Sequence, residues 1–427
     1  MEQKSFTRFI IVWIGQLLSG IGSGMTAFAF GIQVYEQTNS AAGFASILLA
    51  SFMPSILLGP LGGILADRFD RRVMIIIGDA GAAVSVLFLL LNCLSGRLSL
   101  WYILPGVAAG SAFSALQVPA YKASLSDLLS ESEYAKAGGL VQLASSARHL
   151  LSPVAAGILL SLSGIINILL LDIASFIIAV AAVFALPGKN RRIKTGLTLH
   201  LSGALKESRL CLSENSGVKQ VVYKLAAVTF FAGCIQVLIT PMLLFITDTK
   251  TLGIIQSISA SGMVAGSIFV SLFGLKIPPL RVLHLGLIAG GASLSLLGTS
   301  TNLFFITITF FLFYLTLPFI NTSAEVWIRN RITNERQGRI WGIVSFTSQS
   351  GYLAAYVTAG FLSDKVFSPL LSENGVLSDS IGRVIGTGPG RGSAFILVLC
   401  GLGMIITSLY RSGGVEKGEK NEIKIPV

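Results

Sequence analysis

Residues 63–72 read GILADRFDRR. Asp67, Arg68, Asp70, Arg71 and Arg72 put five charges into ten positions, in a chain of 427 residues of which only 12% are charged. Apolar runs flank the stretch on both sides, at 41–65 and 73–94. Each reaches the length of about 20 residues that a helix needs to cross hydrocarbon. The charged stretch therefore reads as a hairpin between two membrane helices, and the rest of the chain can be read outward from it.

Hydrophobic residues make up 53% of the chain, and the mean hydropathy is +0.77. A soluble domain carries about 25% charged residues. So much apolar surface cannot be hidden in an aqueous globule, so lipid must be the solvent. The 46 glycines suit close helix–helix contact in a bilayer. The net charge of +11 is scattered in short clusters, with no basic domain to hold a nucleic acid. Cys93, Cys211, Cys234 and Cys400 show no CxxC spacing and no histidine cluster. Neither disulfides, nor a metal site, nor a cofactor is expected. The first apolar run, 6–34, is too long for a signal peptide and has no A-x-A-like site behind it, so it reads as the first span.

Further runs lie at 98–118, 138–161 and 164–186. A polar segment, 187–220, follows, with GKNRRIK at 188–194 and a weakly amphipathic stretch at 199–212. Six more runs come next: 221–247, 252–275, 282–299, 303–320, 340–366 and 393–410, before a polar tail. The plan is six spans, a linker and six spans. With the N-terminus inside, 25 of the 31 Lys and Arg fall in cytoplasmic segments, Lys224 being counted with the linker. Arg97, Lys250, Lys365, Arg383 and Arg391 fall outside, and Arg148 lies within a span. This bias obeys the positive-inside rule.

The hairpin residues Gly63, Leu65, Ala66, Asp67, Arg68, Arg71 and Arg72 resemble the signature loop of the major facilitator superfamily, with Asp70 in place of the family's second glycine. Finer features resemble its macrolide-efflux branch: Trp13, Gly15, Gln16 and Ser19 in the first helix, Thr38 to Ala41 in the first hairpin, Pro119-Ala120 closing the fourth helix, and Glu335 to Trp341 before the eleventh. The resemblance implies an all-α membrane protein of twelve transmembrane helices in two pseudo-symmetric six-helix bundles, 1–186 and 221–410, with a cytoplasmic linker at 187–220 and a tail at 411–427. It also implies that the signature loop is a latch. A carboxylate at one helix end can sit against the positive N-terminus of another. Asp67 is the candidate, facing the eleventh helix where it begins near Arg339, with Arg68, Arg71 and Arg72 pairing with carboxylates. The matching stretch of the second half, GLKIPPLR at 274–281, keeps Lys276 and Arg281 but has no acid. The latch would then be one-sided.

A charge at bilayer depth costs at least ~2.5–3.5 kcal/mol by insertion scales, so each one is a functional suspect. Arg148 lies mid-span with His149 beside it, Asp172 lies in the sixth span, and Asp79 in the third. One reading makes Asp79 or Asp172 a proton carrier; an equal one makes Arg148–Asp172 a fixed ion pair holding two helices. The arginine that many proton-coupled drug exporters of the superfamily carry in the fourth helix is absent from 107–120. Ser152, Pro153 and Gly157 resemble a worn form of the family's antiporter motif, with a helix-five kink expected at Pro153.

The resemblance implies a central cavity between the two six-helix halves, lined mainly by helices one, four, seven and ten. Polar candidates there are Gln16, Ser19, Gln117, Gln236 and Asn321. Aromatic candidates are Phe28, Phe113, Phe230, Phe231 and Tyr314. This greasy lining with a few amides suits large amphipathic molecules. GTGPGRG at 386–392 lacks the ending of a phosphate loop and reads as a flexible outer loop. No catalytic set stands out, and no enzyme is expected. The expectation is a monomeric plasma-membrane transporter with both termini in the cytoplasm, exporting macrolide-like drugs or a natural product in exchange for protons. Rivals are a dedicated siderophore or peptide exporter, a nutrient symporter, and a lipid translocator or non-transporting scaffold. Single cysteines placed in GILADRFDRR and in GKNRRIK should label from the same face of the membrane. Labelling from opposite faces would break the six–linker–six plan.

Overall fold

The structure is a computed structural model, which describes residues 6–97, 99–129, 133–184, 216–331 and 334–410. Those residues form long helices, with no strand among them. They run α1 (Phe6–Thr38), α2 (Ala41–Arg68), α3 (Arg71–Leu94) and α4 (Leu100–Leu128). A helical stretch, Tyr134–Val183, is broken at Gly164 (φ 77°, ψ −179°). It divides into α5 (134–163) and α6 (165–183). After the linker come α7 (Ser216–Leu244), α8 (Thr249–Phe273), α9 (Pro279–Thr299), α10 (Leu303–Arg329), α11 (Asn334–Leu362) and α12 (Arg391–Leu409). Twelve long helices were expected, and the described residues contain them, with short helical segments at 363–370 and Gly382–Ile385 between α11 and α12.

One boundary falls where the sequence reading put it, and one differs. The backbone break between the fifth and sixth spans is at Gly164, where the sixth apolar run begins. Only glycine enters the left-handed region cheaply, so the chain turns where it has one. α7 starts at Ser216, so Lys219 and Lys224 belong to a helix instead of the linker. GTGPGRG is also held in place. Gly386, Gly388 and Gly390 have positive φ; Gly388 N donates to Leu371 O (2.9 Å); and Arg391 Nη1 donates to Ile385 O (3.1 Å).

The helices fall into two compact units. One takes in Met1–Asn39, Gly43–Leu197 and Thr247–Ser257; the other takes in Ser40–Ala42, Thr198–Ile246 and Ile258–Val427. In the first, α1 packs on α5 and α6, and α3 packs on α4 and α6. In the second, α7 packs on α11 and α12, and α9 packs on α10 and α12. The second unit thus repeats the pairing scheme of the first, as expected of a duplicated six-helix plan.

Lipid tails are as apolar as leucine, so burial supplies little drive for helices to associate. Close van der Waals packing and polar ties take over. A Cβ on Gly15 would lie 2.9 Å from Ala182 Cβ, and one on Gly22 would lie 2.7 Å from Ser175 Oγ. α1 therefore meets α6 backbone to backbone. Gly286, Gly290 and Gly291 play this part for α9 against α10 and α12. Residues facing outward are large and apolar, among them Leu162, Leu272 and Phe304. Trp101 stands at the start of α4, where an amphipathic ring suits the membrane interface.

Helix starts are capped where the sequence supplies an oxygen. Asn302 Oδ1 accepts from Phe304 N (3.0 Å) and Phe305 N (3.2 Å) at α10. Asp248 accepts from Thr251 N (2.8 Å) at α8. Hydrogen bonds from Thr251, through its side chain and then its backbone, hold the exposed Asp248 carboxyl below the usual carboxylate range.

The glycine seams make a prediction. A Cβ on Gly298 meets the Ala394 carbonyl oxygen, a backbone atom that cannot swing aside. Gly298→Val should lower the melting temperature and the detergent-stable yield, at a cost of about 1–3 kcal/mol or more. A Cβ added at Gly59 would meet nothing within 4 Å, so Gly59→Ala should leave both unchanged.

Candidate functional site

The first unit holds an open cavity of about 620 Å³, walled by α1 to α6. Its charged lining is Asp79, Arg148 and Asp172, with Lys122 at the exposed end of α4. Three of these were singled out from sequence as charges at bilayer depth, and the fold brings them to one space. Small residues open that space: Ala27 and Ala82 stand where larger side chains would fill it, beside the hydroxyls of Ser51, Ser55 and Ser111. Ser111 ties α4 to α2, donating to Ser51 O (2.5 Å) and sharing a hydrogen bond with Ser55 Oγ (2.9 Å).

Asp79 is buried on α3, at 4% exposure. An amide chain leads to it from α4. Gln117 Nε2 donates to Gln16 Oε1 (2.6 Å), and Gln16 Nε2 donates to Asp79 Oδ2 (2.8 Å). Both amides turn their N–H ends toward the acid, which suits a carboxylate that accepts. The approach of α3 to α4 depends on Gly78 and Gly81, whose Cβ atoms would strike Gln117 and the Phe113 ring.

Asp172 is sealed from solvent on α6. Its Oδ2 accepts from Thr26 Oγ1 (2.6 Å), and its Oδ1 accepts from Ser23 Oγ (3.3 Å), both on α1. Arg148 on α5 is exposed to the cavity and attracts Asp172 electrostatically. Gly22 and Gly24 on α1 make room for this pair. A Cβ on Gly22 would lie 2.8 Å from Asp172 Oδ1, and one on Gly24 would lie 3.2 Å from Arg148 Cγ. Ser152 adds a tie, donating to Ile21 O (3.0 Å). The supporting hydroxyls Ser23 and Thr26 were not singled out from sequence. Their signal was available: with Ser19 they recur at helical spacing along one face of the first span.

The other expected residues divide. Gln16, Ser19 and Gln117 line the cavity. Phe28 and Phe113 pack against the apolar core of the first unit. In the second unit, Gln236 accepts from Tyr356 Oη (2.5 Å). Tyr314 lies tilted against Phe310, with ring centroids 4.9 Å apart. Phe230 and Phe231 meet edge to face at 5.6 Å. Asn321 is exposed. Pro153 and Gly157 lie where α5 meets the start of α8: Gly253 has no room for a Cβ against Pro153 O, and Gly157 has none against Thr249 O (2.9 Å). These two residues serve close packing there.

The signature hairpin is tighter than a loop. α2 runs through Arg68, so only Phe69 and Asp70 link it to α3. Asp70, the departure from the family pattern, caps α3 by accepting from Arg72 N (2.8 Å). The arginines had been expected to pair with carboxylates. Arg71 Nη1 donates to the Ala123 carbonyl, and the Arg72 guanidinium lies over the Phe184 ring, 4.8 Å from its centroid. The side chains of Gly63, Asp67, Arg68 and His149 lie outside the described residues.

A profile of the Major Facilitator Superfamily matches residues 12–245. The chain belongs to that superfamily. It is similar to macrolide efflux protein A of Streptococcus pyogenes, 23% identical over 379 residues, covering 84% of this chain and 90% of that one. It is also similar to the enterobactin exporter EntS of Shigella flexneri, 28% identical over 165 residues, covering 38% of this chain and 40% of that one. Among solved structures, a bacterial homologue of the human lysosomal transporter Spinster superposes with a TM-score of 0.73 at 13% identity, covering 96% of each chain. A point mutant of the nucleoside transporter NupG also gives 0.73 at 13% identity, covering 94% of this chain and 99% of its own. The protein is thus a multi-pass membrane transporter of this superfamily, resembling macrolide efflux proteins.

The amide chain can be tested on the transporter directly. Gln16→Leu removes both of its links, and Gln117→Leu removes one. Leaving a buried acceptor without its donor costs about 1–3 kcal/mol. Gln16→Leu should lower the melting temperature in detergent more than Gln117→Leu, and the double variant should lose no more than Gln16→Leu alone.

Proposed function

We propose that this transporter exports amphipathic, largely apolar small molecules of macrolide-like chemistry across the plasma membrane, in exchange for protons. It works as a monomer with both termini in the cytoplasm, by alternating access to a site at mid-membrane depth. The observation that carries the proposal is the cavity holding Asp79, Arg148 and Asp172. Its volume falls in the range of small-molecule sites, about 300–1,000 Å³.

In the cycle we infer, Asp172 is the proton carrier. Its Thr26 and Ser23 donors come from α1, and Arg148 comes from α5. A shift of α1 against α5 and α6 exchanges a hydroxyl-and-arginine environment for a proton. Ionisation is then linked to helix position, as coupling requires. Asp79 and its amides hold the polar part of the cargo. Asp67, at the end of α2, closes the inner side as a latch. The likeness to EntS over part of the chain favours a second reading, export of a siderophore-like natural product.

The test is transport by the purified protein in proteoliposomes, with erythromycin as the probe cargo. An imposed proton gradient should drive uptake into an acidified lumen, with alkalinisation of that lumen. Asp172→Asn should abolish the pH dependence, with a loss of gradient-driven uptake on the order of tenfold or more, and Asp67→Asn should slow turnover without loss of protein. Uptake of enterobactin but not erythromycin would select the siderophore reading. Uptake of neither, with no proton movement, would sink the export proposal.

A further inference from the structure

Lys224 stands two turns into α7 and is buried, at 4% exposure. Its Nζ lies 2.9 Å from Nε2 of His284 on α9, itself 8% exposed. The same Nζ donates to Ser408 O on α12 (3.3 Å), and Ser408 Oγ donates back to His284 O (3.0 Å). One turn earlier, Gln220 Nε2 donates to Tyr410 O (3.0 Å). Three helices of the second unit are thus tied at one end by a knot centred on two bases. A cation at this depth is expensive unless it has a task or a partner, and the cavity of the first unit does not use it.

We propose that Lys224 and His284 form a proton-binding site in the second unit. The chemistry follows from donor counting. An ammonium has three N–H donors and no acceptor, while a neutral imidazole has one lone pair. With one proton shared between the two bases, the 2.9 Å hydrogen bond is satisfied whichever base carries it. A second proton, taken from water, goes to the imidazole. Both groups then face each other with hydrogens and with like charge, and the bond between α7 and α9 is lost. Release of that proton restores it. The site therefore converts a protonation change into a contact that α7 makes or breaks.

The neighbouring charges are placed as follows. On α7, Lys219 is exposed and lies over the Tyr223 ring. On α9, Arg281 is exposed. On α10, Glu325 and Arg329 are exposed and bonded to each other (2.8 Å). α12 contributes the carbonyls of Ser408 and Tyr410. On α11, Glu335, Arg336 and Arg339 have side chains outside the described residues, so Glu335 enters the test as a control. The export proposal matters here only for the side from which the proton arrives, the end assigned above to the cytoplasm.

The chain has three histidines. Full-length protein carrying His149→Gln and His200→Gln, labelled with carbon-13 histidine and held in nanodiscs, gives one imidazole signal, that of His284. That signal should titrate between roughly pH 5 and pH 9. Lys224→Met should move its midpoint by about one unit or more, and Glu335→Gln should move it less. A signal constant over the range overturns the proposal, as does a midpoint indifferent to Lys224→Met or one moved more by Glu335→Gln. Should Lys224→Met not fold, Lys224→Arg replaces it, since arginine stays charged and cannot share its proton; an unchanged midpoint there is equally fatal. The measurement needs no cargo and no gradient, so failure of the export proposal does not affect it.

Discussion

Hydrocarbon offers no hydrogen bonds, so every polar group at depth must find its partner on a neighbouring helix. Asp172 is the sharpest case in this transporter. It has no exposure, and its carboxylate is held by hydroxyls that α1 presents. That contact requires α1 to lie against α6 with no Cβ between them, which Gly22 permits. The seam, the acid and its donors depend on one another. A methyl group at position 22 disturbs the carboxylate as much as the packing.

The two units share a pairing scheme but use their interior polarity differently. In the first, polar groups border an open space: the amides reach Asp79 from two helices, and Arg148 is exposed to the cavity. In the second, Lys224 and His284 close on each other and on the end of α12. Duplication of a six-helix plan preserves the rods and their contacts. It does not preserve the charges, because each buried charge needs its own local set of partners.

Much of the fold was legible because the signals are local. Run length, flanking cations and the GILADRFDRR hairpin each refer to neighbouring residues. The charged candidates were legible for a related reason: Asp79, Arg148 and Asp172 stand out against apolar surroundings. Lys224 was misread because it follows a run of linker cations, and nothing local says that α7 has already begun at Ser216. The break at Gly164 was legible, since the sixth apolar run opens there.

By itself, the sequence determined that this protein lives in lipid, that it crosses it in six and six spans, and that a few charges sit deep within them. These are properties of consecutive residues, and hydrophobic length is summed along the chain. Tertiary structure decided which of those charges meet. Gln16 and Asp79 are 63 positions apart, and Thr26 and Asp172 are 146 apart. Such pairs form only when glycine seams let distant helices touch, and side-chain hydrogen bonds reach no further than that contact.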